Sequence, residues 1–183
     1  MSPTSWSKGE KRMEVWDLYD LNRQIIGEHV RGRELPENGF HLVVHVWIRN
    51  WQGQYLLTQR AASRPTFPLM WECVGGSVLK GESSIQGALR ETEEEVGLRF
   101  SSGDGALLFT KVRGTIGGKR YNDIVDVWLF HYDGTVNLEK ASTDEVAQVQ
   151  WMSREEIFRL YQENKLVHSI KDLSYFFQEM ATS

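Results

Sequence analysis

The sequence predicts an α/β fold, in which one sheet packs against helices. Two observations carry this prediction. Apolar residues alternate or run continuously through residues 13–74 and 107–152, and helical periodicity appears between these regions and near the end of the chain. Such a mixture folds as layers of strands and helices around a shared core. With 183 residues, 40% hydrophobic and 25% charged, the chain suits one domain at 13–183 after a loose, polar segment at 1–12.

The first third of the chain predicts four strands. Residues 13–20 and 24–30 could pair as a hairpin. Residues 40–48 have the alternation of a buried strand. A turn at 50–53 leads into a further strand at 54–59. The two faces of the 40–48 strand are Leu42, Val44, Val46 and Ile48 on one side and His41, Val43, His45 and Trp47 on the other.

The rest of the chain adds shorter strands and closes with helices. An irregular loop runs to Met70, and a short strand is expected around residues 71–74. Strands at 107–112 and 124–132 are joined by a basic, glycine-rich loop, which could close over phosphates or simply connect a hairpin. The remaining expected elements are a strand at 146–152 and helices at 153–164 and 169–180.

The most distinctive segment is a helix that carries three carboxylates on one face. Glu91, Glu94 and Glu95 stand at i, i+3 and i+4, so their side chains project from the same side. Because like charges repel there, helix stability gives no reason for this choice. A hard divalent cation such as Mg²⁺, which takes oxygen ligands, would neutralise the cluster in part. The pattern therefore indicates a metal site.

The boundaries of this helix can also be predicted. Ser83 can cap its start, with Gln86 three residues on as the reciprocal partner of a capping box. Gly97 favours a stop, because the left-handed conformation that follows many helices is easiest for glycine. Further glycines precede the helix, in a loop where backbone can approach a metal or a phosphate closely. The stripe expected to face the core is Ile85, Ala88, Leu89, Thr92 and Val96.

Residues 76–98 resemble the signature motif of the Nudix hydrolases. The motif is a glycine, a glutamate, an Arg-Glu pair, a Glu-Glu pair and a final glycine with an apolar residue, all at fixed offsets. Thr92 is the one departure, at a position that is usually aliphatic. The resemblance implies a Nudix-type α/β/α sandwich with a central mixed sheet. The matching positions are Gly76, Glu82, Arg90, Glu91, Glu94, Glu95, Gly97 and Leu98.

The same resemblance implies a reaction, a cofactor and roles for residues. The family hydrolyses a diphosphate that links a nucleoside or another organic group to a moiety X, with Mg²⁺, or Mn²⁺ in its place, as cofactor. Such ions neutralise phosphate charge and lower the pKa of bound water. By position, Glu91, Glu94 and Glu95 are the expected ligands, with the Gly75 carbonyl as a further one. Arg90 is expected to orient a glutamate rather than to touch substrate.

The general base is left open by the sequence. It could be a glutamate of the motif, such as Glu94, or a carboxylate from elsewhere in the chain. Glu145 and Asp123 are two candidates, although each could be an ordinary strand-edge or loop carboxylate. Glu82 is a candidate for an outer-shell ligand, whereas Glu93 should point away from the metal into solvent.

Several other segments are similar to isopentenyl-diphosphate isomerases and the Nudix enzymes nearest to them. This similarity raises an alternative reaction, the allylic isomerisation of a diphosphate by proton transfer. It also implies that Arg60 and Arg64, which match isomerase cations, face the substrate diphosphate. Solvated loop arginines are the plainer interpretation of the same two residues. The matching segments are residues 40–45, 56–60, 63–64 and 68–71.

The residues favour hydrolysis over isomerisation. The isomerases carry a catalytic cysteine, a glycine and a metal-binding histidine just before the helix, whereas residues 75–77 are Gly-Gly-Ser. Cys73 lies two positions too early, and His41 matches one isomerase metal ligand while the partner position holds Glu34. The isomerases keep only the glutamate that matches Glu95, whereas this chain keeps all three. A domain that senses a nucleotide without turnover is a third alternative, which the intact motif disfavours.

Composition indicates the cellular compartment and the class of partner, but it does not identify the substrate. A net charge of -4 gives no general attraction to nucleic acid or to an anionic membrane, and no apolar run could span a bilayer. Cys73 is the only cysteine, which suits a reducing cytoplasm. A small-molecule diphosphate is the expected partner, and a homodimer is conceivable on base rates. The identity of X does not follow from the fold, although Tyr121 or Trp51 could stack on a ring in it.

Overall fold

The computed structural model describes residues 13–116 and 119–167, and these contain nine strands and two α-helices. The strands are β1 (Val15–Tyr19), β2 (Ile25–Val30), β3 (Phe40–Arg49), β4 (Tyr55–Arg60), β5 (Trp71–Glu72), β6 (Val74–Ser77), β7 (Ala106–Ile116), β8 (Lys119–His131) and β9 (Val146–Met152). The helices are α1 (Ser84–Val96) and α2 (Arg154–Gln162). Within this part of the chain no helix is long and apolar enough to cross a bilayer.

The sheet is mixed and is organised around β3. Strand β3 runs antiparallel to β1, β4 and β6, and parallel to β8 along nearly its whole length. Strand β7 continues the sheet beyond β8, β2 continues it beyond β1, and β4 also pairs with β5 and β9. The predicted central mixed sheet is therefore confirmed.

Apolar cores lie on both faces of this sheet and make it a sandwich. On one face, Val44 and Val46 are completely buried in a cluster that also contains Ala88 and Val96 of α1. On the other face, Trp47 is buried in a cluster that contains Ile157 of α2. The alternation predicted for β3 is confirmed, because successive side chains of a strand point to opposite faces.

Helix α1 begins and ends where the sequence predicts. The amide of Ser83 donates to Gln86 Oε1 at 2.8 Å, and the Ser83 side chain accepts from the Gln86 amide at 3.4 Å. Gly97 has a φ of 69° and donates its amide to the carbonyl of Glu93 at 3.0 Å. A capping interaction of this kind contributes about 1 kcal/mol. These contacts fix the first and last turns of the helix that carries the glutamates.

The strands predicted at 107–112 and 124–132 are longer than expected and pair antiparallel, so the hairpin interpretation of the glycine-rich segment between them is confirmed, whereas its length as a loop is wrong. Strand β7 continues to Ile116 and β8 begins at Lys119, with a bulge between Arg113 and Thr115. The reason is a buried ion pair across the two strands, in which Arg113 Nε donates to Asp123 Oδ1 at 2.7 Å and Nη2 to Oδ2 at 2.5 Å. Because its guanidinium is held there, Arg113 does not serve a loop that closes over phosphates.

Two smaller differences concern the short strand and the ends of the chain. The strand expected around residues 71–74 is two strands, β5 and β6, separated at Cys73. The hairpin of β1 and β2 is confirmed. The loose segment expected at 1–12 and the helix expected at 169–180 lie outside the described residues.

Candidate active site

Eight of the predicted site residues line one cavity of about 350 Å³ beside α1. The helix brings four of them, the strand β6 that precedes it brings the glycine, and the rest come from β4, the loop after it and the segment before β9. Residues distant in sequence therefore meet at one place. The predicted residues on its wall are Arg60, Arg64, Gly75, Arg90, Glu91, Glu94, Glu95 and Glu145.

Arg90 ties the glutamates of α1 to the loop before it. Its guanidinium makes a bidentate pair with Glu82, at 2.8 Å from Nε and 3.1 Å from Nη2. Its Nη1 donates to Glu91 at 2.8 Å and to Glu94 at 3.0 Å, and Nη2 also donates to the carbonyl of Ser77 at 2.9 Å. Arg90 thus orients carboxylates, as a planar guanidinium with several donors can.

Glu95 is the carboxylate whose surroundings most clearly call for a cation. It is 8% exposed, and its Oε2 has no hydrogen-bond partner in the described part of the chain. Burial raises the pKa of Glu95 well above its usual range, and the nearby carboxylates of Glu91, Glu72 and Glu145 raise it further. Burial also raises the pKa of Glu91 to about 7, although Arg90 opposes the change. A buried carboxylate with an unpartnered oxygen is costly unless a cation binds it.

Two glycines let the backbone of β6 approach closely. A Cβ on Gly76 would lie 2.4 Å from Oε1 of Glu91, and a Cβ on Gly75 would lie 2.2 Å from the carbonyl oxygen of Val44. Only glycine fits at either position without displacing a neighbour. Gly76 leaves space for the carboxylate of Glu91, and Gly75 allows β6 to stay paired with β3.

The donor set fits a hard divalent cation, but its members are not gathered around one point. Carboxylate oxygens of Glu91, Glu94 and Glu95, with the backbone carbonyl of Gly75 beside them, are the ligands that Mg²⁺ takes. Across residues 13–116 and 119–167, no three acidic, histidine or cysteine side chains converge closely enough to hold a metal as they stand. Arg90 accounts for this, because it draws Glu91 and Glu94 towards itself.

Comparison with known proteins decides the family. A model of the NUDIX domain matches residues 39–173. An uncharacterized Nudix hydrolase of Listeria monocytogenes is 34% identical over 147 residues, covering 79% of this chain and 83% of that protein. The chain belongs to the Nudix family. As a Nudix hydrolase, the protein is an enzyme that acts on pyrophosphate bonds.

Solved structures share the fold at lower identity. The protein DR0079 of Deinococcus radiodurans has a TM-score of 0.70 at 20% identity, covering 87% of this chain and 96% of that one. A bifunctional NMN adenylyltransferase/ADP ribose pyrophosphatase of Francisella tularensis, solved with AMP and a Mn ion, has a TM-score of 0.58 at 20% identity. The superposition covers 77% of this Nudix chain and 42% of the Francisella tularensis chain.

The similarity to isomerases also appears among the relatives. An isopentenyl-diphosphate Δ-isomerase of Escherichia coli is 27% identical over 121 residues, which are 65% of each chain. In this Nudix protein, however, Cys73 is 4% exposed and lies in the apolar core, and it does not line the cavity. Burial raises the pKa of its thiol well above the usual range. A thiol so placed is not available for proton transfer to a ligand in the cavity.

Two further candidates from the sequence also lie away from the cavity wall. Asp123 is buried in its pair with Arg113 and is not a wall residue, so it is not placed to act as a base there. His41 stacks on Trp16 with 4.4 Å between ring centroids. The ring of His41 also contacts the carbonyl of Asn122 at 3.3 Å, and this histidine has the environment of a packed strand residue.

Each of the two arginines predicted to face phosphate already contacts a carboxylate on the cavity wall. Arg60 Nη1 donates to Glu72 at 2.6 Å, and its Nε donates to the carbonyl of Thr66 at 2.9 Å. Arg64 forms an ion pair with Glu145. The structure therefore brings Arg64, predicted to bind phosphate, into direct contact with Glu145, a candidate general base that lies 81 residues away in the sequence.

Some residues of the wall were missed by the sequence patterns. Glu72 follows Trp71 in a two-residue strand, which is too short for alternation to mark its direction. Glu14 and Arg31 reach the cavity from the first hairpin as an ion pair of 2.7 Å. Tyr121 also lines the wall, as one of the two aromatic residues considered for stacking, whereas Trp51 does not.

Proposed function

We propose that this Nudix enzyme is a metal-dependent hydrolase of a diphosphate that joins a nucleoside or another organic group to a moiety X. One observation carries the proposal, namely the buried, unpartnered carboxylate oxygen of Glu95 on the wall of a cavity that also holds Glu91, Glu94, Arg60 and Arg64. Carboxylates suit a cation and arginines suit phosphate oxygens, so the cavity has both halves of such a site.

Glu91, Glu94, Glu95 and the Gly75 carbonyl would hold Mg²⁺, or Mn²⁺ in its place. The presence of a Mn ion in the Francisella tularensis neighbour supports this choice of cofactor. When bound, the cation supplies neutralisation of phosphate charge and Lewis-acid polarisation at the diphosphate. With the cation bound, Glu91 and Glu94 would give up their hydrogen bonds to Arg90, and Arg90 would keep its bidentate pair with Glu82.

Arg60 and Arg64 bind the oxygens of the diphosphate. Both side chains line the cavity that also holds the motif residues, and a guanidinium can contact two oxygens of one phosphate group. Their contribution is to hold the diphosphate so that one phosphorus faces the attacking water. Substitution of Arg64 by alanine should therefore raise KM more than it lowers kcat.

Glu145 is the proposed general base. It accepts a proton from water as the water oxygen attacks phosphorus, and the bond from that phosphorus to its bridging oxygen breaks with the electron pair leaving on that oxygen. The backbone of its segment is tied to α1, since the Thr143 hydroxyl donates to the Glu94 carbonyl at 3.2 Å. A base held next to the metal ligands is suited to this transfer. Glu94 is the alternative base.

Isomerisation and sensing without turnover are the competing functions. The buried position of Cys73 argues against the isomerase chemistry. The complete set of Arg90, Glu91, Glu94 and Glu95 on one cavity wall argues against a domain that only senses a nucleotide. We propose a small-molecule substrate and a cytoplasmic setting, which the lone cysteine supports.

The test is a product-release assay with a matched control. Nucleoside diphosphate sugars, dinucleotides, nucleoside triphosphates and isopentenyl diphosphate would be incubated with Mg²⁺, with Mn²⁺ or with EDTA. Hydrolysis of one class that needs metal and is lost in Glu94→Gln supports the proposal. Glu93→Gln is the control, because Glu93 pairs with Arg99 outside the cavity. Rearrangement of isopentenyl diphosphate without hydrolysis of any compound would contradict it.

A further inference from the structure

The contact between Arg64 and Glu145 leaves the arginine incompletely satisfied. Its Nη1 donates to Oε1 of Glu145, while its Nε is buried and has no hydrogen-bond partner among the described residues. The side chain of Arg64 is 19% exposed and that of Glu145 is 44% exposed. A guanidinium has five N–H donors, so a ligand with more acceptor oxygens than one carboxylate can satisfy it better.

The backbone around this pair is fixed at both ends. The amide of Ala61 donates to the carbonyl of Glu145 at 2.8 Å, and the amide of Arg64 donates to the carbonyl of Ala61 at 3.1 Å. On the other side, the Thr143 amide and hydroxyl both donate to the carbonyl of Glu94, at 3.3 Å and 3.2 Å. The side chain of Glu145 can therefore leave Arg64 by rotation while both backbones stay in place.

The two arginine pairs on this wall differ in how easily they separate. In the pair of Arg60 with Glu72 both side chains are largely buried, at 12% and 19% exposure, and Arg60 also contacts Thr66. Glu145 is more than twice as exposed as Glu72, so its carboxylate can be hydrated when it loses its partner. Ion pairs with an exposed partner contribute little net free energy, whereas arginine binds phosphate in a bidentate manner.

We infer that Arg64 is a latch for Glu145. In the free enzyme the guanidinium holds the carboxylate, and a bound diphosphate takes over the guanidinium and releases the carboxylate into the cavity. The step is an exchange of ion pairs, with no covalent change. It rests on the proposed function and deepens it, because it makes the proton acceptor available only after the diphosphate has bound.

The latch makes an unusual prediction about binding. Removing the charge of Glu145 should tighten the binding of a diphosphate, because Arg64 no longer has to be taken from a carboxylate. The probe is methylenediphosphonate, a diphosphate analogue that cannot be hydrolysed, titrated calorimetrically in the presence of Mg²⁺. We expect Glu145→Gln to lower its Kd about fivefold, the factor expected for a half-exposed ion pair.

A double-mutant cycle separates the latch from general electrostatics. In an Arg64→Ala background, Glu145→Gln should leave the Kd of methylenediphosphonate unchanged. If Glu145→Gln still lowers the Kd of methylenediphosphonate in the Arg64→Ala background, the effect comes from the loss of negative charge alone. That result would overturn the latch. Glu93→Gln is the matched control, because that glutamate is 46% exposed and paired with Arg99 outside the cavity. It should not alter the Kd. Arg64→Gln replaces Arg64→Ala if thermal unfolding shows the alanine variant to be unfolded.

Failure of the latch can be told from failure of the proposed function. An unchanged or raised Kd in Glu145→Gln overturns the latch even when metal-dependent hydrolysis is found. Coupling between Arg64 and Glu145 in the cycle supports the latch, and it does so independently of the release assay because the probe is not turned over.

Discussion

Substitution of the two adjacent glycines of β6 by alanine should have different effects: Gly75→Ala should lower the stability of the fold, and Gly76→Ala should raise the Mg²⁺ requirement of the enzyme. In Gly75→Ala the new Cβ would lie 2.2 Å from the Val44 carbonyl oxygen and 3.3 Å from the Cα of His45. Both are backbone atoms of β3, so the two strands must move apart. In Gly76→Ala the three atoms nearest to the Cβ would all belong to the carboxylate of Glu91, at 2.4 to 2.8 Å. That group can rotate away at little cost.

The expected magnitudes follow from these contacts. Overpacking against backbone costs about 1–3 kcal/mol. At about 2–4 °C per kcal/mol for a domain of this size, a cost of about 3 kcal/mol lowers the Tm of Gly75→Ala by about 6–12 °C. Gly76→Ala should stay within about 1 kcal/mol of wild type. It displaces a proposed metal ligand, however, so the Mg²⁺ concentration needed for half-maximal activity should rise about 10- to 100-fold.

Thermal unfolding in EDTA and a Mg²⁺ titration of activity measure the two effects separately. Each of the two variants is a control for the other, because both replace glycine by alanine and the two positions are neighbours. A Gly76→Ala enzyme with a wild-type Mg²⁺ requirement would refute the placement of Glu91 at the metal. A Gly75→Ala enzyme with unchanged Tm would refute the close approach of β6 to β3.

Three other predictions follow from the buried charged and polar groups. Asp123→Ala strands the Arg113 guanidinium in the sheet, so chemical denaturation should show a loss of about 3–5 kcal/mol, while kcat of the folded fraction persists because Asp123 is not the base. Burial, together with the positive charges of Arg113 and Lys111, lowers the pKa of His45 from 6.5 to about 3. Below pH 6.5 the unfolded chain therefore binds a proton at this histidine that the folded chain cannot bind. As pH falls from 6.5 towards 3, the free energy of unfolding should decrease by about 1.4 kcal/mol per pH unit because of this group. Urea unfolding measured across this pH range should show that the decrease is missing in His45→Gln. Cys73→Ala should retain the hydrolase kcat, and loss of turnover would revive the isomerase interpretation.

The elements that the sequence predicts well are those controlled by neighbours in the chain. The ends of α1 depend on Ser83, Gln86 and Gly97, which act within one turn of the helix. The two faces of β3 follow from alternation alone, since the strand is buried on both sides. The glutamate spacing likewise places three carboxylates together, because the pitch of a helix is fixed.

The features that escaped prediction depend on distant partners. Glycine at position 114 suggested a loop, but the pair of Arg113 with Asp123 and a bulge carry the strand onward. No local pattern joins Arg64 to Glu145, which lie 81 residues apart and meet because β4 pairs with β9. Long-range pairing thus determines how Arg64 and Glu145 come together on the cavity wall.

The central claim is that the carboxylates of α1 hold a divalent cation, and Mn²⁺ binding followed by electron paramagnetic resonance tests it most directly. The account predicts that the wild-type chain binds Mn²⁺ and that Glu95→Gln weakens the binding by at least about 10-fold. Glu93→Gln, whose side chain faces Arg99 outside the cavity, should bind as the wild type does. Equal Mn²⁺ affinity in wild type and Glu95→Gln would contradict the account.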